Sequence, residues 1–145
     1  MPTNPPQNLK NHTKFDPPFH FVLAPLFLAN VIVAIVHCFH YPSLMSGWFV
    51  VLSIGALLAV FMIRRYALKV QDRVIRLEER LRLAMLLPDA KRGMIPSLTE
   101  RQLIALRFAG DFELPPLAEK ALSENLAPKD IKAAITNWRP DYFRV

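Results

Sequence analysis

Residues 48–87 read WFVVLSIGALLAVFMIRRYALKVQDRVIRLEERLRLAMLL, and the parsing of this stretch decides the fold. Its first part carries no charge, Arg64 and Arg65 interrupt it, and neither Gly nor Pro occurs after Gly55. One unbroken helix is expected, its uncharged end suited to a hydrocarbon core of ~30 Å and its charged end to water. Looking outward, no Asp, Glu, Lys or Arg occurs anywhere from Pro17 to Ile63. An uncharged run of that length has no place on a soluble surface and accommodates two spans of ~20 residues with a tight turn.

The chain has 145 residues and a formal charge of +6, a size that suits a membrane anchor plus a small domain. The first span is expected over Phe19–His40, with a kink at Pro25, whose nitrogen cannot donate. Tyr41–Gly47 supplies the turn, punctuated by Pro42, Ser43, Ser46 and Gly47. Lys10 and Lys14 precede the spans and Arg64, Arg65, Lys69 and Arg73 follow them, whereas the turn has no Lys or Arg. Both termini are therefore expected on the cytoplasmic side. The solitary Cys38 permits no intrachain disulfide. The uncleaved apolar run starts near Phe19, without a small-residue cleavage site behind it, so a removable signal peptide is not expected.

Beyond the membrane, Ala67, Val70, Val74, Leu77, Leu81 and Ala84 recur at alternating steps of three and four, an a/d seam that needs a cover. The cover is a second copy, another protein, or the chain's own C-terminal part; the marginal size of that part favours its docking on the seam. Pro88 and Asp89 end the helix, and Lys91–Pro96 reads as a linker. Three short helices follow. Thr99 and Gln102 make a capping box for the first, Pro115 and Pro116 open the second, and Pro128 opens a third that carries Ile131, Ala134, Ile135 and Trp138 until Arg139 and Pro140 stop it. The reading is all-α: an N-terminal arm over 1–18, a transmembrane hairpin over 19–63, a cytoplasmic helical extension over 64–87 and a small helical domain with an aromatic, basic tail over 88–145.

The segments QNLKNHTKF (7–15), EERLRLAMLLP (78–88), LTERQLIALRFAGDFELPPL (98–117) and IKAAITNWRPDYFRV (131–145) give the chain a further likeness. It resembles a bacterial family of small two-pass integral membrane proteins of unknown function, over nearly its whole length and most specifically at NWRPDY. The resemblance implies the bacterial inner membrane and brings no reaction and no functional residues with it.

Candidate residues divide by depth. Asn30 and Ser53 share a depth in an antiparallel hairpin and are expected to hydrogen-bond. Ala34 on the first span, and Gly55 with Ala59 on the second, offer small residues for helix contact. His37 and His40, three apart, suggest a metal or, with His20, a haem or quinone. No third ligand is evident, and His20 lies ~25 Å along the helix from His37. Arg64, Arg65 and Lys69 suit anionic lipid. The basic residues from Ser97 onward (Arg101, Arg107, Lys120, Lys129, Lys132, Arg139, Arg144) are matched in number by acids (Glu100, Asp111, Glu113, Glu119, Glu124, Asp130, Asp141), and a neutral domain is not a nucleic-acid footprint. Trp138, Arg139, Tyr142 and Phe143 are the candidate recognition group, since Trp, Tyr and Arg dominate binding hot spots.

No nucleophile with a partnering base and no glycine-rich phosphate loop is present. The function expected is a non-enzymatic membrane accessory or scaffold subunit, without cofactor, that binds lipid and a membrane protein or itself. The alternatives are a haem- or quinone-associated redox subunit using His20, His37 or His40, and a homo-oligomeric conduit lined by Asn30 and Ser53.

Overall fold

The computed structural model describes residues 7–11 and 15–142. The fold is all-α, and no strand forms among the described residues. The chain divides into two compact units, one made of residues 15–69 and the other of residues 7–11 with 70–142. The long helix α2, Leu44–Leu86, contributes to both.

The 15–69 unit is a helical hairpin. A π-helical turn, Pro18–Leu23, leads into α1, Ala24–His40. The distortion expected at Pro25 takes the form of this wider turn, a common solution where the helical hydrogen-bond ladder is interrupted. The link to α2 is shorter than the sequence suggests. Ser46 N donates to Ser43 Oγ at 3.0 Å and Ser43 N to Ser46 Oγ at 2.8 Å. This reciprocal cap starts the helix at Leu44 and takes Ser46 and Gly47 out of the turn.

Contact within the hairpin uses one stripe on each helix. Ala24, Phe27, Val31, Ala34 and Cys38 are half-buried on α1, opposite the more sheltered Ser46, Val50, Ser53, Leu57, Val60 and Arg64 of α2. The other faces are bare, with Phe21, Val33, Phe39 and Ile63 among the strongly exposed side chains. The helices over 18–40 and 44–86 are each long and apolar enough to cross a membrane.

The second unit has the core. Leu83 and Leu87 at the end of α2 pack with Ile95, Leu98, Leu103, Leu106, Phe108, Leu114, Ala118, Ala121 and Ile131. The segment read as a linker is a 3-10 helix, Asp89–Ser97, which buries Ile95. Helix α3, Glu100–Leu106, begins at the Thr99–Gln102 capping box, and Gln102 Nε2 continues into the core to reach the carbonyls of Ala121 and Leu126 at 2.9 and 3.2 Å. Helix α4, Leu114–Ser123, ends through Asn125 at φ 47°. The Leu126 and Asn125 amides return to the carbonyls of Ala121 and Leu122, the paired closure that a left-handed residue after a helix allows.

Helix α5 is shorter than expected, Pro128–Ala134. Ile135 turns to extended backbone, and the Thr136 and Asn137 amides go to the Glu113 carboxylate instead of to helical carbonyls. Trp138 is therefore not the last residue of a helix; it bridges to Ala109.

Candidate functional site

Described residues from all four stretches that carry the family likeness meet in the second unit. Arg82, from the end of α2, is almost completely enclosed. Its Nη2 donates to the Ala109 carbonyl at 2.6 Å, its Nε to Asp111 at 2.7 Å and its Nη1 to Glu79 at 3.2 Å. Glu79, one helical turn earlier and equally enclosed, has Arg139 at 3.8 Å on its other oxygen. Burial pushes the Glu79 carboxyl above its ordinary value, against the pull of Arg82 and Arg139.

Glu113 closes the same loop from the other side. One carboxylate oxygen accepts from the Gly110 and Asn137 amides at 3.2 and 3.1 Å, the other from the Thr136 amide and hydroxyl at 3.1 and 2.7 Å. Partial desolvation works to raise this group, but the four donors outweigh it, and the carboxyl lies below its ordinary value. Gly110 sits where the chain passes close to Asn137. A Cβ on it would lie 2.9 Å from the side-chain Nδ2 of Asn137 and 3.2 Å from its backbone carbonyl oxygen, so a larger residue asks the Asn137 side chain to turn away and the backbone to give slightly. The backbone approach is held by the Gly110 N to Asn137 O bond at 2.9 Å and the Arg139 N to Phe108 O bond at 2.7 Å.

The remaining stretch joins at the edge. Arg107, buried beside Asp141 at 3.1 Å, places its guanidinium 4.4 Å from the centre of the Phe108 ring, whose other neighbour is Trp138 at 5.1 Å. Gln7 brackets Asp141: its Nε2 donates to the Asp141 carbonyl at 3.2 Å and its Oε1 accepts from the Asp141 amide at 2.8 Å. The N-terminal arm thus has residue 7 held at Asp141, because a carboxamide offers one donor and one acceptor to the C=O and N–H of a single residue.

A full-length family model covers residues 1–145. The chain belongs to DUF6526, a family of unknown function. No curated protein and no solved structure matches it. In this DUF6526 chain the NWRPDY segment, read as the most specific, helps tie the small unit together through Asn137, Trp138, Arg139 and Asp141.

The recognition group fares unevenly. Trp138 is used by the core, Arg139 reaches Glu79, Tyr142 is exposed at the edge, and Phe143 lies outside the described residues, as does Lys14. Among the described residues, the most exposed aromatic is one the sequence reading missed. Phe112 is 96% exposed, at the tip of the loop whose neighbours Asp111 and Glu113 are both anchored. Its only signal was a large apolar residue between two acids in a loop.

In the hairpin, Asn30 Nδ2 donates to Ser53 Oγ at 3.2 Å, and the Ser53 hydroxyl donates onward to the Phe49 carbonyl at 2.7 Å. Ala34 lies on the half-buried stripe of α1. Gly55 and Ala59 do not face α1. The stripe through Ser53, Leu57 and Val60 fixes the helix rotation at ~100° per residue, which turns both outward; a Cβ on Gly55 would meet nothing within 4 Å. Arg64 is not available to lipid as expected, because it pairs with Asp16 at 2.5 Å and lies 4.5 Å over the Phe19 ring. Arg65 and Lys69 are exposed. The histidines engage locally: His20 Nδ1 and His40 Nδ1 lie at 2.8 and 2.9 Å from the carbonyls of Asp16 and Val36, and the His37 ring is 5.2 Å from that of Tyr41. Among the described residues no cluster of three or more His, Cys, Asp or Glu side chains is arranged to hold a metal ion.

The seam is corrected most. Ala84 packs at the margin of the core, and Ala67 is exposed. Val70, Val74, Leu77 and Leu81 are 61, 49, 60 and 57% exposed. The chain's own C-terminal part covers the opposite face instead, through Glu79, Arg82, Leu83 and Leu87. Heptad counting found an apolar face correctly and missed the second one, because Glu79 and Arg82 neutralise each other and are buried with the leucines.

Proposed function

We propose that this chain is a two-pass protein of the bacterial inner membrane with both termini cytoplasmic, acting as a non-enzymatic accessory or scaffold subunit. The observation that carries the reading is the two-sidedness of α2 beyond Arg65. One face is occupied by the chain's own small unit, and the opposite face presents Val70, Val74, Leu77 and Leu81 to its surroundings. Contiguous exposed apolar surface of that kind marks an interaction site.

Three further features support it. The hairpin exposes large aliphatic and aromatic side chains on nearly every outward position, as a lipid-solvated pair of helices does. Its polar groups are satisfied internally by the Asn30, Ser53 and Phe49 relay, as a hydrocarbon environment demands. The cationic residues flank the apolar segments on the terminal sides only, which orients them. In the small unit, Glu79, Arg82, Asp111 and Glu113 engage protein groups, so the arrangement serves to hold a shaped surface that displays Phe112.

Blue-native electrophoresis of gently solubilised native membranes tests the reading. The expected result is a species clearly heavier than one chain with its detergent. A species no larger than that overturns it.

A further inference from the structure

We propose that Val70, Val74, Leu77 and Leu81 form the contact between two copies of this chain, with their α2 helices side by side and parallel. This rests on the membrane-anchored reading above and names the partner that reading leaves open. All four side chains are about half exposed or more, and the small unit occupies the far face of the same helix, where Glu79, Arg82 and Leu83 are buried. A second helix therefore meets no obstruction from the chain's own core. Two copies inserted with the same topology present α2 in the same direction, so a parallel pair is the geometry that co-insertion dictates.

The seam residues fit that geometry in spacing, and its central heptad fits in kind. Val74 falls at position a and Leu77 at position d of one heptad, the β-branched and γ-branched pairing that favours two strands in parallel. The charges that flank the seam choose the same partner. Arg73 falls at position g and Glu78 at position e of the next heptad, so in a parallel pair Arg73 faces the partner's Glu78, and the two-fold axis repeats the contact. Both residues are exposed. The next g position, Arg80, meets e position 85, a methionine, so no like charges oppose each other across the seam. A helix complementary to itself in register is best matched by its own copy.

Oxidative cross-linking of the full-length protein in liposomes provides the test, in a Cys38→Ser background so that the introduced thiol is the only one. Leu77→Cys is expected to give a disulfide-linked dimer, and Lys69→Cys, exposed away from the seam, is not. Adding Glu78→Arg to Leu77→Cys, which sets Arg against Arg twice, is expected to lower the dimer yield about fivefold, and adding Arg73→Glu as well to restore it. Equal yields at positions 69 and 77, no dimer at 77, or no restoration by the double charge reversal each overturn the proposal. If native membranes still give a heavy blue-native species while the liposomes give no dimer, the partner is a different protein: the inference fails and the accessory-subunit reading stands. If neither is seen, both fail.

Discussion

Arg82 and Glu79 show how a charged residue is carried into a small core. Both side chains are nearly enclosed, and each is tolerable there only because the other, with Asp111 and the Ala109 carbonyl, supplies its partners. Removing one member of such a pair leaves the other desolvated and alone, so Arg82→Met is expected to cost about 3–5 kcal/mol. The double replacement Glu79→Leu with Arg82→Met is expected to recover a good part of that loss. Chemical denaturation of the wild type, the two single variants and the double variant gives the coupling, and strictly additive losses would contradict the account. The two glutamates also imply opposite pH slopes. Glu79 is raised above an ordinary 4.5 by burial, so its proton is held more tightly in the folded state, and its contribution to stability falls as pH rises from 4.5 through its folded value. Glu113 lies below 4.5, so what it contributes is present above 4.5 and is lost as pH falls through its folded value. Glu113→Gln should therefore melt lower than wild type at pH 7, with the gap closing below pH 4.5. A gap that stays constant in melting curves from pH 7 to pH 3 would mean the carboxylate is not the group that ties Gly110 to Thr136 and Asn137.

At the level of elements, α2 shows what sequence periodicity reveals and what it conceals. Its length was legible because an uncharged run followed by a charged run without Gly or Pro has one economical conformation, and the α3 start was legible because Thr99 and Gln102 form a local cap that needs no tertiary help. The stops were less so. Thr136 and Asn137 leave helical geometry because Glu113, more than twenty residues away in sequence, takes their amides, and no local signal encodes that. The identity of the covered face was hidden for a similar reason, since Glu79 and Arg82 read as a solvated pair until Asp111 and Ala109 are placed beside them. The hidden Phe112 site belongs here too: a loop's exposure depends on which of its neighbours are tethered. The assignment of faces predicts unequal costs along one helix. Leu83→Ala, at a fully buried position, is expected to destabilise the small unit by about 2–5 kcal/mol. Leu77→Ser, six residues earlier on the exposed side, is expected to change that unit's stability by less than about 0.5 kcal/mol. Hydrogen exchange of the Leu103 and Leu106 amides reports on that unit directly. Comparable losses of protection from both substitutions would mean that the core lies on the wrong side of α2.

For the molecule as a whole, the decisive quantity is the side of the bilayer on which each part lies. The proposed topology, argued from the distribution of Lys and Arg along the sequence, expects the link between α1 and α2 and the small unit to lie on opposite sides of the bilayer. Two exposed positions report on this separately: Pro42 in the link and Phe112 at the tip of the loop after α3. Neither side chain is part of a core, so a cysteine at either should leave the fold intact, and Cys38→Ser removes the one native thiol. In right-side-out vesicles a membrane-impermeant maleimide is expected to label Pro42→Cys at once and Phe112→Cys only after the membrane is opened. The reverse order would invert the topology. Immediate labelling of both would remove the second crossing and, with it, the parallel alignment of α2 helices on which self-association through Val74 and Leu77 depends. A cysteine at Phe112 that reacts at once only in detergent, and Pro42→Cys that reacts in every preparation, would leave the small unit on the side where a seam flanked by Arg73 and Glu78 meets water, salt and a second copy of itself.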